Sequence, residues 1–436
     1  TKFSTSHGMA ASAYQPRTGA NWRAVIGGMI GWALDAYDLT LILFIAGLLA
    51  DEFFPRTSVI AGLMALFASY ALTLLARPLG GFIFGYLADR WGRRPVMFVS
   101  LLGLGISSAL TGVLPTYAQI GLTATFLFVL LRLVVGIFVG GEPGGSHTIA
   151  IESSSPGLRG LVSGVLQSGY MWGYALGALT FLGLTSIYPH AAFVSYAWRY
   201  AFFISLVVAF LGIAVRYAVP ESAMFRDIKE RGETSRMPLA EFFRRHARDW
   251  APVWVIMAGA YWVAYASMGF LPTLLETFLK VPASSTLSIV LYGAIVEGIF
   301  MWIGGHLSTY TTRRGMFMIT GVIGVLTSYF LVRAIVTTSY GYMVLGAGGL
   351  MALAGLGGGV MLAHIAELFP TRVRGSAVGS LWNLANVGSV IPLIMGAPVI
   401  AIYGPLNGFT LIMVIGFVIE IVGALASRDR TRALME

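Results

Sequence analysis

Asp35 and Asp38 stand three residues apart in "GWALDAYDLT", inside a long apolar run. An aspartate at the centre of a membrane-spanning helix costs about 2.5–3.5 kcal/mol on insertion scales, and a spacing of three puts both carboxylates on roughly one helical face. Two such costs on one face imply a polar cavity, and the repulsion between neighbouring carboxylates makes the pair a candidate for proton exchange. The plainer alternative is that one of them only bonds neighbouring helix backbone. Arg132 and Arg77 also interrupt apolar runs. A buried guanidinium needs a carboxylate, carbonyls or an anionic ligand, and its fork suits an organic acid. Both are therefore candidate substrate ligands, with an ion pair between Arg132 and a helix-1 aspartate as the alternative for Arg132. In "GGEPGGSHTIAIE", Glu142 and His147 accompany four glycines and Pro143, which are expected to distort the helix. His147 titrates near neutrality in its ordinary form, so Glu142 and His147 join the proton-coupling candidates.

The second half of the chain is poorer in deep charges. Glu276 in "GFLPTLLETFLK" and Glu297 further on are the acidic candidates there, and Glu276 is placed first as a substrate contact although it stands close to the outer end of its run. Tyr37, Gln167, Tyr174, Tyr265 and Asn383 offer hydrogen bonds on helices expected to face the centre, although aromatic residues at such spacing more often pack. No tight cluster of His, Glu and Asp appears, so neither a metal site nor a cofactor is expected.

These groups need a framework that hides them from lipid. Of 436 residues, 57% are hydrophobic and 11% charged, with a mean hydropathy of +0.79, against about 25% charged in ordinary soluble chains. The absence of cysteine excludes disulfides, thiolate zinc sites and Cys nucleophiles. A formal charge of +9 could suggest nucleic acid, but the basic residues lie in short breaks between apolar runs, so no nucleic-acid partner is expected. No Walker motif, HExxH or GxSxG is present, so the protein is expected to be neither an enzyme nor an ATP-driven pump.

A spanning helix needs roughly 20 apolar residues, and the breaks allow about twelve: 22–50, 57–88, 95–114, 118–150, 158–186, 197–219, 250–278, 285–309, 314–336, 340–367, 374–400 and 404–426. Of the 28 Lys and Arg residues, 22 fall on one side of this layout and 4 on the other, with Arg77 and Arg132 inside spans. Both termini are therefore expected to be cytoplasmic. Residues 1–21 read as a disordered cytoplasmic tail rather than a signal peptide. Residues 220–249 are the one long polar stretch and separate six-helix units at 22–219 and 250–427, with a short tail at 428–436. The halves echo each other: "GYLADRWGRR" after helix 2 recurs as "GHLSTYTTRR" after helix 8, and "ESSSPGLRG" after helix 4 recurs as "ELFPTRVRG" after helix 10. Matching places and similar offsets argue for a duplicated unit, as in secondary transporters.

"GYLADRWGRR", "RLVVGIFVGGE" and "VPES" resemble the major facilitator superfamily over essentially the whole chain. "ARPLGGFIFGYLADRWGRR", "GGEPGGSHTIAIESSSPGLRG" and "WRYAFFIS" are similar to its organic-acid/proton symporters, of the sialate and lactate group and its metabolite-carrying relatives. The resemblance implies an all-α membrane fold of two pseudo-symmetric six-helix bundles. It also implies an acidic pair at the position of Asp35 and Asp38, and a cytoplasmic latch formed by Gly85, Asp89, Arg90, Gly92, Arg93 and Arg94. The second copy of that motif holds Thr309 and Thr312 in place of Asp89 and Gly92, beside Arg313 and Arg314, and is expected to latch less firmly. Glu152 with Arg159, and Glu367 with Arg374, share an i to i+7 spacing and are expected to join the same gate network. The function expected is symport of a small organic anion with protons across the cell membrane, by a monomer embedded in lipid. A sugar or organic-cation carrier is the alternative, and a non-transporting sensor a further one.

Overall fold

The computed structural model describes residues 19–55, 58–91, 93–140, 150–151, 154–218, 244, 247–337 and 339–431. These residues are almost wholly helical, without a β-strand among them. The principal helices are α1 (Trp22–Phe44), α2 (Val59–Trp91), α3 (Arg93–Val113), α4 (Leu122–Gly140), α5 (Arg159–Ile187) and α6 (Arg199–Ala218), followed by α7 (Ala247–Ala264), α8 (Ala283–Thr311), α9 (Arg313–Val336), α10 (Tyr340–Gly358) and α11 (Thr371–Ala426). Gly404 bends α11 back on itself with φ at +75°, a conformation open to glycine at little cost, so this one element supplies the last two expected spans. Among the described residues, eight stretches are long and apolar enough to cross a bilayer, and nine if the bent pair His190–Ala197 and Arg199–Ala214 is one span.

α1 packs along α5 and α6, α2 along α4, and α3 along α4 and α6, forming the first bundle. In the second, α7 and α9 pack along α11, and α10 along α8 and α9. The bundles meet where α5 runs beside α8 and α2 beside α11. Small residues permit these approaches, as expected where lipid offers no hydrophobic drive between helices. A Cβ on Gly164 of α5 would strike the Met301 carbonyl oxygen of α8, and a Cβ on Gly136 of α4 would strike the Thr73 carbonyl oxygen of α2. Gly19 bonds Ser155 and Thr431 bonds Arg313, so both ends of the described chain lie on the face that carries the loops before α5 and α9.

Pro78 lies inside α2 without ending it: the helix continues to Trp91. Pro272, beyond α7, has a larger effect. The chain there passes through π-helical turns at Tyr265–Phe270 and Leu274–Phe278, a distortion that tends to sit at functional sites.

Replacing Gly136 by Leu should separate α2 from α4 and lower stability by roughly 1–3 kcal/mol, whereas Leu at Gly183, which has open space around it, should leave it nearly unchanged. Thermal unfolding of the purified protein in detergent measures both.

Candidate functional site

The intramembrane charges divide between two places. The first lies inside the α1–α6 bundle, where Asp38 on α1 faces Arg132 of α4, Ser108 of α3 and Ser205 of α6. Asp38 is buried and neither of its carboxylate oxygens has a hydrogen-bond partner. Arg132, 1% exposed, donates through Nη2 to Thr111 Oγ1 at 2.5 Å and lies 5.5 Å from the centre of the Phe128 ring, while its Nε is unpartnered. Ser108 and Ser205 bond each other at 3.1 Å. Carboxylate and guanidinium are therefore neighbours, each short of partners. Tyr37, on the same helix, donates to the Ala201 carbonyl of α6 at 3.1 Å and so ties the bundle together. Asp35 is buried on α1.

The second place is a cavity between the bundles, with about 560 Å³ free of protein atoms and part of it open to the exterior. Trp32, Arg77, Gln167, Tyr170, Tyr261, Tyr265, Glu297 and Trp382 supply its aromatic and polar lining. Arg77 is the one basic side chain among the described lining residues. Its guanidinium lies 5.9 Å from the Trp32 ring centre, close to Tyr70, Tyr170 and Tyr261. The position of Arg77 is held by helix contact, because a Cβ on Gly140 of α4 would strike the Arg77 carbonyl oxygen. Of the residues put forward from the sequence, Arg77, Gln167, Tyr265 and Glu297 line the cavity; Asp35, Asp38, Arg132, Tyr37, Tyr174, Glu276 and Asn383 do not.

Tyr174 instead helps to close it on the face away from the termini, donating across the bundles to the Met268 carbonyl at 2.8 Å. The reason is local. Pro272 has no N–H to offer the carbonyl four residues before it, so Met268 can accept from elsewhere. Tyr170 and Tyr265 bond each other through their hydroxyls at 3.0 Å, and Phe67 lies 6.0 Å from Phe270. Asn383 is used within its own helix, donating to Gly379 at 2.8 Å, and Glu276 is half-buried in the π-helical turn at Leu274–Phe278. Glu297, Trp32, Tyr170, Tyr261 and Trp382 gain their place at the cavity from packing; the signal for Glu297 was an acid in the middle of an apolar run.

On the face carrying the termini, Glu367 accepts both arms of Arg313, Nε to Oε2 at 3.0 Å and Nη2 to Oε1 at 3.0 Å, and lies 3.9 Å from Nη1 of Arg159 in the other bundle. Arg313 also donates to Ser308 at 2.7 Å and to Thr309, the counterpart of Asp89, at 3.2 Å. Thr312, the counterpart of Gly92, takes φ of +76° and caps α9 by accepting from Gly315 at 3.0 Å. Arg374 donates to the Ala366 and Phe369 carbonyls, while Arg314 at the surface donates to Leu425. Although partial burial pushes the Asp429 carboxyl up, hydrogen bonds from Thr312 and Thr431 hold it below the usual carboxylate range and clasp the C-terminal segment to this corner. The side chains of Gly85, Asp89, Arg90, Gly92, Arg93 and Arg94, and residues Glu142, His147 and Glu152, lie outside the described residues.

Two helical bundles enclosing a central cavity, with charge networks at one end, define a carrier that moves its substrate between two faces. The sequence profile of the Major Facilitator Superfamily matches residues 28–392, and the chain belongs to that family. It is 30% identical over 394 residues to an inner membrane metabolite transport protein of Escherichia coli, covering 87% of this chain and 88% of that one. It is 28% identical to the shikimate transporter of the same organism, covering 94% and 95%, and 26% identical to its proline/betaine transporter, covering 83% and 74%. A crystal structure of a D-xylose-proton symporter superposes with a TM-score of 0.71 at 16% identity, over 95% of this chain and 99% of that one. The protein is a multi-pass membrane transporter of the secondary type and not an enzyme.

Removing one partner of the buried Arg313–Glu367 pair leaves the other charge uncompensated. Glu367→Gln should cost about 3–5 kcal/mol of stability, and Arg314→Gln, at the surface, less than about 0.5 kcal/mol; thermal unfolding in detergent distinguishes them.

Proposed function

We propose that this transporter carries a small organic anion, of the monocarboxylate, sialic or aromatic acid type, in symport with protons. The observation that supports this most is Arg77, a buried guanidinium at the wall of the inter-bundle cavity among aromatic rings. Its planar fork matches a carboxylate, and the surrounding rings suit an apolar or cyclic body. The relative named a shikimate transporter agrees with an acid as cargo.

The proton belongs to the other place. Asp38 without a proton has Arg132 as its facing cation, which draws α1 and α4 together; with a proton it releases that pull. α4 bears on α2 at Gly136 and Gly140, the latter against the carbonyl of Arg77 itself. A change of charge at Asp38 is thereby carried to the substrate's arginine through helix packing, and two states that differ in Asp38 protonation differ in how they hold an acid. Alternating access follows from rocking of the bundles, closed on one face by Tyr174 and Met268 and bridged on the other by Arg159 and Glu367.

Two replacements test the assignment. Asp38→Asn should abolish accumulation of the acid driven by a proton gradient while leaving counterflow exchange largely intact; accumulation at the wild-type level removes Asp38 from coupling. Arg77→Lys keeps the charge and loses the fork, and should weaken binding of acids about tenfold or more with little change for the matching amides. Equal losses for acids and amides would make Arg77 a structural residue.

A further inference from the structure

Opposite Arg77, the cavity wall carries acceptors without donors. Glu297 stands near the middle of the 29-residue α8, is 0% exposed, lines the cavity, and has no hydrogen-bond partner on either carboxylate oxygen. Gln167 of α5 lines the same cavity, and its Oε1 is likewise buried without a partner. The two helices touch close to these residues: Gly164 meets Met301, and Trp172 packs on Gly298. Gln167 lies between Gly164 and Trp172 on α5, and Glu297 lies within about one turn of both Gly298 and Met301 on α8, so one stretch of the interface presents three acceptor oxygens together. Buried polar groups in proteins are nearly always satisfied, and orphans gathered at a cavity are satisfied by what the cavity receives.

We propose that Gln167 and Glu297 form a second subsite that accepts hydrogen bonds from an ammonium or hydroxyl group on the substrate, whose carboxylate lies at Arg77. The inference rests on the acid-carrying reading of the cavity and narrows it: a simple apolar carboxylate leaves Glu297 and Gln167 unpartnered, and a bipolar acid satisfies both ends. Because a substrate from one bundle's arginine to the other's carboxylate spans the interface, the same subsite makes its occupant a bridge between the two halves.

The test uses three acids of one ring size, cyclopentanecarboxylate, 3-hydroxycyclopentanecarboxylate and proline, titrated into the purified full chain. Quenching of tryptophan fluorescence reads binding, since Trp32 and Trp382 line the cavity. The hydroxylated acid, proline or both should bind about tenfold or more tightly than the bare ring acid. Glu297→Ala and Gln167→Ala should each reduce that preference, and Glu297→Gln, which keeps an acceptor but not the charge, should remove it for proline and retain much of it for the hydroxylated acid. A thermal unfolding transition in detergent close to that of the wild type shows that each variant is folded. The subsite is overturned if the bare acid binds as well as the other two, or if the preference survives in both alanine variants while the acids still bind. Failure of all three acids to bind wild-type protein removes the carboxylate assignment of Arg77, and this subsite with it.

Discussion

A charge inside a hydrocarbon layer has no water to turn to, and every feature of this molecule that bears on transport follows from how that constraint is met. Arg132 and Asp38 meet it inside one bundle, sheltered by α3, α4 and α6, with serine and threonine hydroxyls for company. Arg77 meets it at the wall of a cavity, against the face of Trp32. The first arrangement is buried within the bundle, so the charge state of one carboxylate has a large effect on its neighbours. The second is open to a guest, so its charge is available to a ligand.

Close packing connects the two. Glycines bring α4 against α2 at the level of Arg77, and bring α5 against α8 across the bundle interface. Interiors packed to this density do not deform smoothly; they exchange one arrangement for another. In the coupling proposed above, α4 carries Arg132 at one level and bears on Arg77 at another, and so links a change of pairing to the substrate's arginine. Beyond this packing, polar contacts cross between the bundles at both faces, Tyr174 with Met268 on one and Arg159 with Glu367 on the other, and such contacts can break and re-form.

The helical framework could be read from the sequence because lipid imposes length and apolarity on each span, and the repeat of "GYLADRWGRR" in "GHLSTYTTRR" pointed to the corner where Arg313 and Thr312 now stand. Thr312, at the place the first copy gives to glycine, adopts a left-handed backbone that glycine takes more easily than threonine. The direction in which a residue faces was less accessible. Six residues at about 100° each set Trp32 and Asp38 roughly 120° apart around α1, so one helix serves the cavity with its tryptophan and the bundle interior with its aspartate. Nothing in spacing alone says which is which. The role of Tyr174 depended on Pro272 freeing a carbonyl nearly one hundred residues away in sequence, and Glu297 gained its meaning only when α5 and α8 were seen to enclose it.

The central claim is that an acid held between the bundles moves with a proton held inside one of them. Uptake of a panel of labelled carboxylates into proteoliposomes, with an inward proton gradient and again after a protonophore has collapsed it, tests this most directly. The account predicts that at least one acid accumulates above equilibrium only while the gradient lasts. Accumulation that ignores the protonophore would contradict proton coupling, and transport of a sugar or cation with none of the acids would contradict the role assigned to Arg77.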